Sequence, residues 1–568
     1  MHFTPKETDI YKIHQSGDLA NLDGLDDEAL SKLPSLLALR DAIYSQSFRD
    51  YISHITGCGS LSGRKTDMAI NVYTPGCFLL CHDDVIGSRK VSYILYLTDP
   101  DTPWQPEWGG ALRLFPVEEI TNEDGSVAKT PTPDPAKVIP PAFNQLSFFA
   151  VQPGQSFHDV EEVYHAKSAA QLEAQSGRVR MAISGWFHIP QVGEDGYVEG
   201  AEEALAKNSG LMQLQGNPEQ YDRPTAKTVP VPATEKGKET GENLNEADLE
   251  FLLKYIAPTY LTPDTLEGIS EHFDEMSGIT LPNVLAPKFA TRLRAYVEDQ
   301  ETRKLPPNSG AIEKGTGWKV ARPPHKHRYL YMQPADLRTA REESPVTELL
   351  DVLLPSRQFR QWLSLATGCS VESSDLLARR FRRGLDYTLA TGYEGKPRLE
   401  LNLGFTPTSG WGEEEDDEEE EGGDEEDEVP STSNGKSKDK GKGKAKPKPA
   451  APKEPEREVG GHEIYMATDE DEDEDAAVYK ASAGDDDDNI LFYQAAAWNT
   501  MTIVLRDSGT MRFVGYVSEG AKGDRWDIIG AYGVEEEEGG GEGGKADDEG
   551  EDEDEFNGFS DSGDDESD

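Results

Sequence analysis

The sequence predicts a mainly β protein with flanking helices (α+β), built from two tandem copies of one domain, and three observations carry that reading. Residues 48–58 (FRDYISHITGC) return as residues 359–369 (FRQWLSLATGC). Further matches follow in the same order: YTPGCFLLCHDD from Tyr73 lies opposite FRRGLDYTLATG from Phe381, Gly109-Gly110 opposite Gly460-Gly461, and FNQLSFFAVQPGQSFHDVEEV from Phe143 opposite WNTMTIVLRDSGTMRFVGYVS from Trp498. Ordered matches over this length point to duplication of a whole domain. Within each copy, apolar positions at helical spacing give way to short β-branched and aromatic runs separated by Gly, Pro and Asp, the texture of an all-β sandwich or barrel.

The N-terminus, MHFTPKETDIYKIHQSGDLA, has no apolar h-region, and no run of about 18 apolar residues occurs, so neither a signal peptide nor a membrane span is expected. Leu30, Leu33, Leu37, Leu39, Ile43, Phe48 and Ile52 give residues 27–57 a helical period, which predicts two helices. Strands are expected at AINVYT, CFLLC, VSYILYLT, ALRLF, LSFFAVQ and VRMAISGWF. Residues 191–243 are polar and Pro-rich and read as a connector. Helical periodicity returns at 246–260 and 346–367, before the strands LELNLGF, EIYMAT, ILFYQAA, TMTIVLR, MRFVGYV and WDIIGAY. The expected division is therefore 1–240 for the first domain with its trailing linker and 241–533 for the second. Acidic insertions interrupt the second at about 411–459 and 467–488, and 534–568 form an acidic tail.

The net charge of −52 is concentrated. Tracts at 413–428, 469–475, 485–488 and 535–568 hold 43 acidic residues and one lysine, so the remainder carries −10, an ordinary value for two folded domains. Like-charge blocks repel themselves and are expected to be disordered. They read either as solvating runs or as a collar that draws basic clients such as ribosomal proteins. They repel bare nucleic acid, so no direct nucleic-acid binding is expected. The lysine- and proline-rich run at 436–453 reads as a linker or a weak nuclear-localisation patch. Cys58, Cys77, Cys81 and Cys369 form no C-x-x-C pair, which implies a reducing compartment, nucleus or cytoplasm.

Two H-x-D/E patterns occur, about the number chance allows for 11 histidines in so acidic a chain. His272-Phe273-Asp274 sits in helical texture and reads as solvated helix surface. His82-Asp83-Asp84 ends the apolar run CFLL, and on a strand His82 and Asp84 share a face. His158 follows another apolar run and the turn Gln152-Pro153-Gly154-Gln155, where a facing strand of a barrel can deliver a third ligand. Two histidines and one carboxylate leave vacancies that suit a non-haem Fe(II) oxygenase binding a chelating co-substrate and O2, whereas zinc prefers a nearly closed tetrahedral set. Arg180, in VRMAISGWF, is a cation in need of a partner inside a barrel. A dicarboxylate co-substrate supplies one through a bidentate bond, with the Tyr73 hydroxyl as a second donor. A salt bridge for Arg180 and plain core packing for Tyr73 are the structural alternatives. Arg178 shares the strand face and competes with Arg180 for the role.

The strings YTPGCFLLCHDDVIGSRKVSYILYLTD, WGGALRLFP, PGQSFHDVEEV and RMAISGWFH resemble the 2-oxoglutarate- and Fe(II)-dependent prolyl 3,4-dihydroxylases of fungi and animals, over about residues 20–533. The resemblance implies two double-stranded β-helix (jelly-roll) domains, the second catalytically degenerate. It implies hydroxylation of a decoding-centre proline in a small-subunit ribosomal protein, with effects on translation termination, on polyadenylation and on a sterol-response factor. His82, Asp84 and His158 match the iron ligands, Arg180 the partner of the 2-oxoglutarate carboxylate, Tyr73 a co-substrate donor and Trp186 an aromatic lining the site. Fe(II), 2-oxoglutarate and O2 follow as requirements, with L-ascorbate as reductant. The iron and co-substrate carry the oxidation, and the protein's share is positioning and exclusion of water.

The repeat loses that chemistry, because His82, Asp84 and His158 stand opposite Ala390, Gly392 and Phe513. Arg525 stands opposite Arg180 and is either a relic or a salt-bridge partner. The second copy is expected to stabilise the first or to recruit a protein. A rival reading makes the chain an oxygen-responsive regulator that binds a transcription or translation factor through the second domain without hydroxylating it. Lysine or a nucleobase is an alternative substrate, the latter disfavoured by the lack of a basic groove.

Overall fold

A computed structural model of the chain describes residues 3–121, 125, 127–207, 221–232, 244–335, 342–412, 458–467 and 490–535. The acidic tracts, apart from Glu535, and the lysine-rich run lie outside the described residues. So do nearly all of the expected insertions.

The first half contributes β1 (Thr4–Glu7), β2 (Tyr11–Gln15), β3 (Thr66–Tyr73), β4 (Phe78–His82), β5 (Arg89–Tyr96), β6 (Leu112–Leu114), β7 (Val117–Thr121), β8 (Val127–Pro131), β9 (Lys137–Ile139), β10 (Gln145–Ala150), β11 (His158–Val160) and β12 (Arg180–His188). All pair antiparallel. Apart from the β7–β8 hairpin they form one curled sheet in the order β10-β5-β12-β3-β2-β4-β11-β6-β9, with β1 beside β2. Strand β2 joins two leaflets, pairing with β3 through His14 and Gln15 and with β4 through Tyr11 and Lys12. Only Ile13 of β2 is buried, so YKIHQ carries little of the apolar signal by which the other strands are recognised.

Three helices, α1 (Asp27–Ser31), α2 (Pro34–Ile43) and α3 (Gln46–Thr56), stand where the period predicted two. Pro34 causes the extra break, since it opens α2 and has no N–H to continue the preceding turn. Ser45 caps α3 by accepting from the Phe48 amide, and Gly57, at φ 68°, closes it in the left-handed region. The helix Arg357–Thr367 repeats this: Ser356 accepts from the Phe359 amide and Gly368 closes at φ 72°.

The predicted connector is partly structured. It holds the helix Ala201–Ala206 and β13 (Val229–Pro230), which docks on the second half. The remaining strands are β14 (Gly278–Pro282), β15 (Lys319–Val320), β16 (His327–Arg328), β17 (Leu330–Met332), β18 (Val371–Phe381), β19 (Tyr387–Tyr393), β20 (Arg398–Phe405), β21 (Glu463–Ala467), β22 (Ile490–Gln494), β23 (Trp498–Arg506), β24 (Thr510–Val514) and β25 (Arg525–Val534). One sheet runs β14-β23-β20-β25-β18-β17-β15 with β13 against β18, and the other runs β16-β19-β24-β21-β22. The orders β23-β20-β25-β18 and β19-β24-β21 repeat β10-β5-β12-β3 and β4-β11-β6 strand for strand. The expected helix at 246–260 ends at Leu252, and the block at 346–367 is broken by a π-helical turn over Leu349–Leu353. Helix Pro287–Thr302 and strands β18 and β19 were not among the expected elements.

Each half has its own core. In the first, Ile52 of α3 packs with Met68, Val91, Tyr93 and Phe187 of the sheet; in the second, Phe359 and Trp362 pack with Leu401, Trp526 and Tyr532. The halves meet through polar as well as apolar contacts. Phe78 lies 4.4 Å from Tyr516, ring centre to ring centre. Glu162, fully buried, accepts hydrogen bonds from Ser518 Oγ (2.5 Å), the Glu519 amide (2.8 Å) and Tyr516 Oη (3.3 Å). Burial outweighs these donors and pushes the Glu162 carboxyl up to about 7 from 4.5. An acid whose folded value is raised binds more protons folded than unfolded, so its contribution to stability falls as pH rises from 4.5 to about 7. Glu162→Gln removes that slope. Denaturant unfolding should show the wild type losing on the order of 3 kcal/mol relative to the variant across this window.

Candidate active site

Strands β4 and β11 are antiparallel neighbours with His82 opposite His158, so the two imidazoles face the same side of the sheet with ring centres 4.3 Å apart. Asp84 reaches them by a different route from the one the sequence suggests. Strand β4 ends at His82, and Asp84 adopts φ 61°, so a left-handed turn rather than strand alternation brings its carboxylate back over the pair. Aspartate tolerates this region better than most residues. Its Oδ1 lies 3.1 Å from His82 Nε2 and its Oδ2 3.5 Å from His158 Nε2, and one ligand atom from each of the three lies within 4.8 Å of the others.

The rings are oriented from behind. His82 Nδ1 bonds to the Leu80 carbonyl and His158 Nδ1 to the Ser156 carbonyl, both at 2.8 Å, which leaves Nε2 of each toward Asp84. Asp83 ties the β4 terminus to the turn ahead of β11: its carboxylate accepts from the Gly154 amide (3.3 Å), and its carbonyl accepts from Ser156 Oγ (2.8 Å). Burial opposes charge on all three ligand-type groups. On Asp84 the imidazoles of His158 and His82 overcome it and hold the carboxyl well below the usual carboxylate range. On His158 burial and the neighbouring His82 act together and push it down to about 4. On His82 burial is overcome by Asp84, and its pKa is raised.

The three residues open onto a cavity of about 430 Å³. Alternate residues of three strands line it: Asn71 and Tyr73 of β3, Ser92 and Ile94 of β5, and Arg180, Ala182, Ser184 and Trp186 of β12. Arg180 stands directly opposite Tyr73 across the β12–β3 ladder. It is 1% exposed, its Nε donates to the Gly110 carbonyl at 2.7 Å, and its guanidinium lies over the Tyr73 ring at 4.5 Å. Its Nη2 has no hydrogen-bond partner. Burial pushes the Tyr73 hydroxyl up to about 12, so it remains a donor. Trp186 faces the cavity under Arg89, whose guanidinium lies 3.6 Å from the ring centre.

Arg178 is not among the described residues that line the cavity. It lies in a 3-10 turn before β12 rather than on the strand, and bonds to Gln175 and to the Tyr164 carbonyl. His272 and Asp274 are exposed on the helix Pro263–Met276, as expected of a solvated surface. Two residues near the site were missed. Tyr96 is buried, and its ring centre lies 5.1 Å from the Arg180 guanidinium; its spacing from Ser92 and Ile94 marked it as sharing their face. His325, from the second half, also lines the cavity, and no period or motif distinguished it.

In the second half the same places are filled. Gly109 and Gly460 both take positive φ, and a Cβ on either would come 2.0 Å from a backbone oxygen, of Glu162 and Tyr516 respectively. Arg525 bonds to the Gly461 carbonyl as Arg180 does to Gly110, but its guanidinium is paired with Asp527 at 3.0 Å. Phe513 packs with Ala390, Ile464 and Met466, an apolar cluster with no ligand atoms.

Residues 68–188 match the family model of the 2OG-Fe(II) oxygenase superfamily, and residues 247–540 match that of the oxoglutarate and iron-dependent oxygenase degradation C-terminal region. The chain is a 2-oxoglutarate-dependent dioxygenase. It is 30% identical to the prolyl 3,4-dihydroxylase OGFOD1 of Ostreococcus tauri over 94% of this chain and 89% of that protein. It is 29% identical to the prolyl 3-hydroxylase OGFOD1 of Mus musculus over 58% of this chain and 45% of that protein. A solved Pseudomonas putida prolyl-4-hydroxylase aligns with 33% of this chain and 77% of that one, at 23% identity and a TM-score of 0.20. The chain belongs to the family of the prolyl 3,4-dihydroxylase type. That family implies Fe(II), 2-oxoglutarate and O2, and the residues fit them: two oriented imidazoles and a carboxylate for the metal, and an unpaired guanidinium nitrogen for a carboxylate.

Proposed function

We propose that the chain is an Fe(II)- and 2-oxoglutarate-dependent prolyl hydroxylase that acts on a small-subunit ribosomal protein and thereby affects translation termination. The observation that carries this reading is the pairing of His82, Asp84 and His158 with a buried, incompletely bonded Arg180 on one cavity. In this reading the three residues hold the iron, and Arg180 with Tyr73 holds the far carboxylate of 2-oxoglutarate. Bound together, the metal and co-substrate supply oxidising power from O2, with L-ascorbate restoring the metal. Arg180 and Tyr73 then fix the co-substrate's orientation, while Trp186 and the apolar walls keep water from the target ring.

Residues 1–240 comprise the catalytic domain with its trailing linker, and 241–533 a degenerate double-stranded β-helix whose strand orders repeat the first. The acidic tracts favour a basic client, and the enzyme works in nucleus and cytoplasm. The experiment is incubation of the full chain with small-subunit ribosomal proteins, Fe(II), 2-oxoglutarate and O2, followed by peptide mass spectrometry. A proline gaining the mass of one or two oxygen atoms is expected. Succinate formation with every ribosomal proline unchanged contradicts the substrate assignment.

A further inference from the structure

We propose that His325 is the contact through which the second half grips the substrate polypeptide, its imidazole hydrogen-bonding to main-chain N–H and C=O groups of the segment presented to the catalytic cavity. The inference rests on the reading of the chain as a hydroxylase of protein substrates and names one determinant of how that substrate is held.

Among the described residues that line the cavity, His325 alone comes from the second half. It is 2% exposed, and neither ring nitrogen has a hydrogen-bond partner. Its ring lies 4.9 Å from that of Phe157, the residue preceding His158. A buried polar group left unbonded is unfavourable, and where one persists beside a cavity a bound molecule is its natural complement.

The loop carrying His325 is held on several sides. The Pro324 carbonyl accepts from Tyr387 Oη at 2.6 Å, and the Cys81 amide, on the strand that ends in His82, approaches that same hydroxyl at 3.4 Å. The Lys326 carbonyl accepts from the Leu389 amide at 2.8 Å, and Lys326 Nζ pairs with Asp222 at 3.0 Å. The amides of Lys326 and His327 close a turn on the Pro323 carbonyl. A group fixed this firmly loses little further freedom when it meets its partner.

The chemistry of the ring selects the class of partner. Burial, reinforced by the charges of Lys326 and His327, holds the pKa of His325 well below its ordinary value, so the imidazole is neutral. A neutral imidazole offers one donor and one acceptor. A polypeptide main chain presents both an N–H and a C=O from successive groups, whereas a carboxylate only accepts and has Arg180 to meet it.

The test uses the full chain and two variants. His325→Phe keeps a ring against Phe157 but has no polar atom; His325→Gln restores a donor and an acceptor. For proline hydroxylation of a small-subunit ribosomal protein, His325→Phe should lose at least about tenfold in kcat/KM. His325→Gln should recover most of that loss. Succinate release without protein substrate, the KM for 2-oxoglutarate and the melting temperature should stay at wild-type values or, for the last, rise. Wild-type hydroxylation by His325→Phe overturns the proposal. So does an equal loss of substrate-free turnover, which would place the ring on the co-substrate, or a marked drop in melting temperature, which would make it a structural contact. If the wild type modifies no ribosomal proline, the substrate assignment fails separately, and a drop in melting temperature or in substrate-free turnover of His325→Phe still overturns the role given to His325.

Discussion

Asp84→Ala should end succinate formation from 2-oxoglutarate while the chain stays folded. Asp84 is the one carboxylate in the cluster proposed to hold the iron, reaching both imidazoles within 3.5 Å, and without it two histidines remain for a divalent metal. Non-haem Fe(II) sites of this kind use the anionic oxygen as well as the imidazoles. The backbone adds a second expectation. Asp84 sits at φ 61°, where a Cβ is strained and glycine is not. Asp84→Gly should therefore be as inactive as Asp84→Ala but more stable by about 1 kcal/mol. Succinate assays on both variants, with thermal unfolding alongside, check the pair. Activity in either removes Asp84 from the ligand set.

Arg180→Met should raise the KM for 2-oxoglutarate by a factor of roughly 30 to 4000, the loss of about 2–5 kcal/mol that follows when a buried charge pair loses one member. Arg180→Lys should not rescue it, because a point charge cannot reproduce the forked donor geometry. The same substitution in the other half should do the opposite. Arg525 meets Asp527 at 3.0 Å, and Glu463 lies nearby, both acids buried. Arg525→Met leaves Asp527 with fewer compensating charges in a dry interior and should cost about 3–5 kcal/mol of stability without touching the KM for 2-oxoglutarate. Arg180, whose Nη2 has no internal partner, should tolerate the change with little loss of stability. Steady-state kinetics and unfolding of both variants separate a binding residue from a structural one.

The parts of the site that were legible in the sequence are those set by strand alternation and by the repeat. Tyr73 and Arg180 fall opposite each other because β3 and β12 are antiparallel and regular, and Trp186 shares the Arg180 face by parity. The repeat marked the copy in which His82, Asp84 and His158 have no counterparts, and Phe513 lies in an apolar cluster. Asp84 was placed correctly for the wrong reason, since a left-handed turn, which no hydrophobic period encodes, carries it to the histidines. Strand β2 escaped because one buried residue in five gives no pattern, yet it joins the two leaflets. His325 could not be seen at all from its own segment, because its place in the cavity depends on the packing of one half against the other.

The most direct test is anaerobic titration of the full chain with Fe(II) and 2-oxoglutarate, followed by the visible charge-transfer band that appears when the co-substrate chelates the metal. The wild type should develop the band, Arg180→Met should need far more 2-oxoglutarate to reach it, and His82→Ala and Asp84→Ala should not develop it. A wild type that never shows the band, or a band that survives loss of both His82 and Asp84, would contradict the assignment of these residues as the iron centre.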